Sequence, residues 1–108
     1  MLSINFGKII IFKGIKPSKR TDKKYTATFI VNNRIKRVHF GANGMSDYTR
    51  HKDTARKQRY IKRHQKRENW NDPTTAGALS RWILWNKPTL RASIADYKKS
   101  LNFSFTKM

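Results

Sequence analysis

The sequence predicts an α+β fold: a small antiparallel β-sheet, built from a hairpin plus an N-terminal strand, followed by three α-helices. Three observations predict it. Residues 24–40 alternate in polarity around Asn32-Asn33. Residues 8–13, KIIIFK, are a short apolar run rich in β-branched side chains. From Asp53 onward, apolar residues recur at helical spacing between helix starts and stops.

Taken in order, residues 8–13 read as one strand. Residues 14–24, GIKPSKRTDKK, read as a basic loop punctuated by Gly14 and Pro17. Residues 24–31 and 34–40 form the hairpin. Asn tolerates positive φ, as both central positions of a type I′ turn require. In that register Val31 faces Arg34, Phe29 faces Lys36, Ala27 faces Val38 and Tyr25 faces Phe40. One face then carries Tyr25, Ala27, Phe29, Val31, Val38 and Phe40, an adequate core face. The other carries Thr26, Thr28, Ile30, Ile35, Arg37 and His39 and is more polar.

Gly41 and Gly44 end the strand pattern. Asp53 is a candidate N-cap for a helix reaching Arg67, and Asp47 for a short turn before it. Residues 68–71, ENWN, leave that helix. Asp72-Pro73 marks the second helix start, because Asp accepts from free amides and Pro suits the first helical position. That helix reaches about Asn86 and buries Ala76, Leu79, Trp82, Ile83 and Trp85, until Lys87-Pro88 ends it. Thr89 caps the third helix, to about Leu101, with Leu90, Ile94, Tyr97 and Leu101 at core-facing spacing. The tail, NFSFTKM, alternates Phe103 and Phe105 and suits an added strand or a partner surface. A single basic domain over 1–108 accounts for the pattern, strand-rich over 1–40 and helical over 53–101.

Charge dominates the composition. Twenty-five Lys and Arg against six Asp and Glu give a formal charge of +19. Self-repulsion on this scale destabilises an isolated compact chain and points to work against a polyanion, either nucleic acid or an anionic membrane surface. The chain is not a simple basic tail: 37% is apolar, with three Trp, four Tyr and six Phe. Without cysteine there is neither a disulfide nor a thiolate metal site, which suits a reducing compartment. The longest apolar runs, Ile9–Phe12 and Trp82–Trp85, fall far short of the ~20 residues of a membrane span. The N-terminus lacks the apolar core of a signal peptide.

The cations concentrate in HKDTARKQRYIKRHQKR, residues 51–67, a stretch free of Gly and Pro. At about 100° per residue, Lys52, Arg56, Arg59, Arg63, Lys66 and Arg67 project onto one side. Thr54, Gln58, Ile61 and Gln65 lie on the less charged side. Charge runs are usually solvated faces, but six like charges on one side repel each other, so a phosphate-binding stripe is the stronger reading. A second basic group, Lys16, Lys19, Arg20, Lys23 and Lys24, falls in the first loop. It suits a phosphate backbone, a groove between protein subunits, or a merely solubilising loop.

His39, His51 and His64, with Asp47, Asp53, Glu68 and Asp72, supply the ligand types of a metal nuclease, and hairpin-then-helix is the order of ββα-metal nucleases. No HxxxH or HExxH spacing occurs, so a packed or hydrogen-bonded His64 near Tyr60 is the better reading. Trp70, Trp82 and Trp85 read as core or subunit anchors before base-stacking platforms. Gly41, Gly44 and Gly77 are too scattered to cradle a phosphate, and no nucleophile triad can be assembled. No cofactor, metal or small-molecule substrate is expected.

The stretch from Phe40 to Lys98 is the most distinctive. It holds FGANGMSDYTRHKD, then RKQRYIKRH, then ENWNDPTTAGALSRWILWNKPTLRASIADYK. These words, in this order, resemble a small family of proteins found in large nucleocytoplasmic DNA viruses (giant viruses). Its shared features are an SDYT-like segment with an HKD, a basic RYxxRH helix, an ENWxDPxTAG link and a WxLWNKP helix end. The resemblance covers a little over half of the chain and supplies no catalytic residues. It implies a viral protein, placed in the virion and in the host cytoplasm or viral factory during assembly. Together with the charge, it leads to a non-enzymatic structural protein that binds genomic double-stranded DNA or another virion polyanion without sequence specificity. The alternatives are a minor capsid protein, cementing capsid subunits or linking capsid to inner membrane, and, third, a metal-dependent nuclease.

Overall fold

The computed structural model describes residues 2–5 and 8–103, with side chains for residues 9–101. Its sheet has four antiparallel strands in chain order: β1 (Leu2–Asn5), β2 (Lys8–Pro17), β3 (Lys23–Val31) and β4 (Arg34–Ala42). Helices follow: α1 (Tyr48–His51), α2 (Thr54–His64), α3 (Ala76–Leu79), continued by a π-helical turn over Ser80–Leu84, and α4 (Leu90–Phe103). The architecture is α+β, an antiparallel sheet followed by helices.

The β3–β4 hairpin has the expected register, from Val31 opposite Arg34 to Tyr25 opposite Phe40. Asn32 and Asn33 take φ of 50° and 68°, the left-handed pair of a type I′ turn. The sheet departs from expectation on its other side. A further strand, β1, pairs with β2, and β2 runs on to Pro17. Phe12 and Ile15 are three residues apart, so both face the core only if one residue is inserted between them. The insertion is a bulge: Phe12 pairs with Phe29 while Gly14, at φ 125°, pairs with Thr28. The basic loop expected over 14–24 therefore shrinks to the five residues between β2 and β3.

One face of the sheet meets the helices. Ile10, Phe12, Ala27, Phe29 and Phe40 pack against Leu79, Ile83, Leu84, Tyr97 and Leu101, all buried. The Phe12 ring sits 5.5 Å from Phe29 and 5.3 Å, edge-on, from Tyr97. Each such side chain contributes about 1.5–3 kcal/mol by leaving water. In the last helix Leu90, Ile94, Tyr97 and Leu101 all join this core, and Ala92 N donates to the Thr89 cap.

The helix expected from Asp72-Pro73 starts later. Asp72 instead accepts from Thr74 N and its hydroxyl, and the Pro73 carbonyl accepts from the buried Tyr97 hydroxyl at 2.6 Å. Thr75 becomes the cap, accepting from Ala78 N. The helix ends in the π turn, which places the adjacent Ile83 and Leu84 in the core and leaves Trp85 half-buried beside α2. The C-terminal strand expected around Phe103 and Phe105 is not formed at Phe103, where α4 ends; residues 104–108 lie outside the described residues. No helix among the described residues is long and apolar enough to cross a membrane.

Candidate nucleic-acid interface

The basic helix is shorter than expected. Lys52 takes a left-handed φ of 55° and closes α1, so Asp53 starts α2 afresh. Its carboxylate accepts from Ala55 N and Arg56 N at 3.0 and 3.2 Å. The Arg56 amide, above all, holds the Asp53 carboxyl below its ordinary value of 3.8. Asp47 caps α1 in the same way, through Thr49 N. At the other end the His64 carbonyl accepts from both Arg67 N and Glu68 N, tightening the chain into a turn. Of the six cations in the expected stripe, Arg56, Arg59 and Arg63 are on α2. Lys52 precedes it, and Lys66 and Arg67 follow.

Packing decides which side of α2 faces outward. The Tyr60 ring is buried and lies parallel to Trp85, with centroids 4.3 Å apart. His64 stacks on Tyr60 at 4.2 Å, and its Nδ1 lies 3.1 Å from a Glu68 carboxylate oxygen. The other Glu68 oxygen accepts from Trp70 Nε1. Lys57 Nζ donates to the Asn86 carbonyl at 2.6 Å and sits 4.8 Å over the Tyr48 ring. Burial pulls the Lys57 ammonium below its ordinary pKa, aided by Arg81 and Lys87 nearby. Burial also raises the Tyr60 hydroxyl, so this side of α2 stays a neutral aromatic contact.

With Lys57, Tyr60, Ile61 and His64 turned inward, the opposite arc carries Arg56, Arg59, Lys62 and Arg63, all exposed. Lys62 was outside the expected stripe, yet at 100° per residue it lies across the helix from the packed aromatic side. Lys52, Lys66 and Arg67 extend the arc at both ends, also exposed. The acids are engaged elsewhere: Asp22 with Arg20, Asp47 with Lys24, Asp53 at its cap, Glu68 with His64 and Trp70, Asp72 with Thr74, Asp96 with Asn86. Among the described residues, none forms an ion pair with the exposed cations of α2.

The second basic group divides. Lys24 does not belong to a surface site. Its side chain is 6% exposed and its ammonium lies 2.5 Å from the carboxylate of Asp47, itself 2% exposed. A carboxylate buried at the start of α1 needs a countercharge, and Lys24 supplies it. Arg20 pairs with Asp22 through two hydrogen bonds in open solvent. Lys16 and Lys19 are exposed, and Lys23 is half-buried at the start of β3.

Lys16 and Lys19 also border a groove that the linear sequence does not reveal. It lies on the sheet face away from the helices, is about 640 Å³ in volume, and is lined by Lys13, Gly14, Thr26, Thr28, Arg37 and His39 besides. A Cβ at Gly14 would meet nothing within 4 Å, so the floor there is open. Thr26 and Ser18 hydroxyls hold His39 Nδ1 at 2.7 and 2.9 Å. The bulge that places Lys13 here depends on Ile15 pairing with Ala27, which the linear sequence does not show. The signal for Arg37 was its place on the polar hairpin face.

The three histidines are not brought together. His39 is on the sheet, His51 accepts from Asp53 N and lies 5.3 Å from Trp85, and His64 meets Glu68. No cluster of three or more potential metal ligands occurs among the described residues. A cleft of about 430 Å³ beside α2 contains Asp47, Lys24, His64 and Glu68, whose side chains are already engaged, Asp47 with Lys24 and Glu68 with His64. The tryptophans serve internal contacts: Trp85 under Tyr60, and Trp70 and Trp82 against the Arg81 guanidinium at 5.6 and 4.3 Å. Arg81 donates to the Trp85 carbonyl, and burial lowers its pKa.

No curated protein and no solved structure matches the chain. Residues 14–64, a little under half of it, match a family of unknown function (DUF5754). That stretch runs from the bulge glycine of β2 to the last residue of α2, and so takes in the buried Lys24–Asp47 pair and the basic arc.

Proposed function

We propose that this is a non-enzymatic protein that binds double-stranded DNA through the exposed arc of α2, without sequence specificity. The observation that carries it is the fixed orientation of that helix. Tyr60 stacked on Trp85 turns Arg56, Arg59, Lys62 and Arg63 outward together, with no ion pair to any acid among the described residues. Guanidinium and ammonium groups so arranged release counterions from phosphates and need no base-edge contact. The resemblance of residues 40–98 to proteins of large DNA viruses supports a virion setting in which the genome is the polyanion. Titrations of several short duplexes of unrelated sequence test this. Their affinities should agree within a few-fold and fall steeply with added salt. Binding that ignores salt, or that depends strongly on sequence, would overturn the reading.

A second reading, a minor capsid protein between capsid subunits or between capsid and membrane, draws on apolar surface. Ile9, Ile35 and Met45 are 51%, 63% and 64% exposed. Copy number in purified particles separates the two. A genome-binding protein scales with DNA length and leaves with the core, whereas a capsid protein matches the lattice and stays with the shell.

A further inference from the structure

We infer that the groove on the outer face of the sheet is a second phosphate-binding surface that takes a second duplex, so that one molecule bridges two. The inference rests on the reading of α2 as the first surface. The groove is built across three strands. Lys13 and Lys16 belong to β2 and Arg37 to β4, with Thr26 and Thr28 of β3 between them. Strands lie about 4.8 Å apart, so the two basic rims stand about 10 Å apart. A sugar–phosphate strand laid along β3 has cations on both sides and two threonine hydroxyls beneath. Lys13 to Pro17 spans about 13 Å of strand.

Charge fixes the class of occupant. Among the described residues no Asp or Glu lines the groove, whereas Lys13, Lys16, Lys19 and Arg37 do. His39 is held by Ser18 and Thr26 at the floor and adds a polar ring. The absence of a side chain at Gly14 leaves space where a backbone must come close.

The two surfaces also face different ways. The helices cover the opposite face of the sheet through Leu79, Ile83, Leu84, Tyr97 and Leu101. α2 is attached to that helical layer by Trp85 and Asn86, so its basic arc belongs to the helical side. A duplex on α2 therefore leaves the groove open to another.

A bridging assay tests this, with one duplex fixed to beads and a second, labelled duplex in solution. The wild-type chain should carry labelled duplex to the beads. Lys13→Gln/Arg37→Gln should lower that capture about tenfold and reduce its salt slope by about 2, one for each phosphate no longer neutralised. Binding of a single short duplex at low protein concentration, read by anisotropy, should change little. Lys13→Glu/Arg37→Glu should abolish capture, with unchanged circular dichroism showing that the fold is intact. Capture undiminished in both variants would overturn the second surface and leave α2 standing. A wild-type chain that binds a single duplex but never captures a second would do the same. Failure to bind any duplex would remove both readings. Loss of binding to poly-glutamate in the variants, with bridging intact, would assign the groove to acidic protein and end the inference.

Discussion

Lys24 and Arg56 carry the same charge and have opposite fates. Lys24 is buried against Asp47, while Arg56 stands in solvent on α2. Removing Lys24 strands a buried carboxylate, so Lys24→Ala should cost about 3–5 kcal/mol, read by urea unfolding. Arg20→Ala, which breaks an exposed pair with Asp22, should cost less than about 1 kcal/mol in the same experiment. Equal effects would show that the Lys24–Asp47 pair is not buried in solution. Asp53 gives a pH signature. Its folded pKa lies below 3.8, so its capping contribution is fully present above that value and is lost as pH falls through the lower, folded pKa. Helicity in Asp53→Ala should be reduced at neutral pH, and the difference from wild type should vanish only in strong acid. Residue identity alone does not distinguish Lys24 from Lys19, because the partner that buries Lys24 is Asp47, which lies beyond the whole hairpin in the chain.

At the scale of elements, what was local was legible. The hairpin register follows from alternation and two asparagines, and the sheet confirms each pair. The caps Asp53 and Thr89 were legible for the same reason. The bulge at Lys13 and the late start of the helix after Pro73 were not. Each depends on a distant partner: Ile15 opposite Ala27, and the Pro73 carbonyl taken by Tyr97. The basic stripe was legible as charge, but its orientation was not, since Trp85 lies far along the chain from Tyr60. That stack is what fixes α2. Tyr60→Ala should cost about 3–5 kcal/mol, as truncation of a buried aromatic does. It should also weaken duplex binding although Tyr60 itself is buried, because the arc loses its fixed direction. Tyr60→Phe keeps the stack and should bind like wild type. Weak binding by Tyr60→Phe would mean that the hydroxyl, not the packing, matters.

For the whole molecule, a charge of +19 on 108 residues is a problem of self-repulsion and, in the proposed function, the means of binding. Acids and a few cations are taken up in caps and ion pairs, and other cations stand exposed, among them those of the α2 arc and those beside the outer groove. Removing cations from the arc should therefore leave stability unchanged or slightly raised, a control that separates binding from folding. Net charge was legible at once and pointed to a polyanion. The placement of cations on the outer arc of α2 and beside the groove needed the third dimension.

The most direct test is duplex binding across a salt series, comparing wild type with Arg56→Gln/Arg59→Gln/Arg63→Gln. Engagement of ~5–6 phosphates predicts a log–log slope near −5 for wild type, and removal of three of the cations should bring it to about −2. Affinity should collapse while the melting temperature does not fall. Equal slopes and affinities in the two proteins would contradict DNA binding through α2, because its arc would then engage no phosphates.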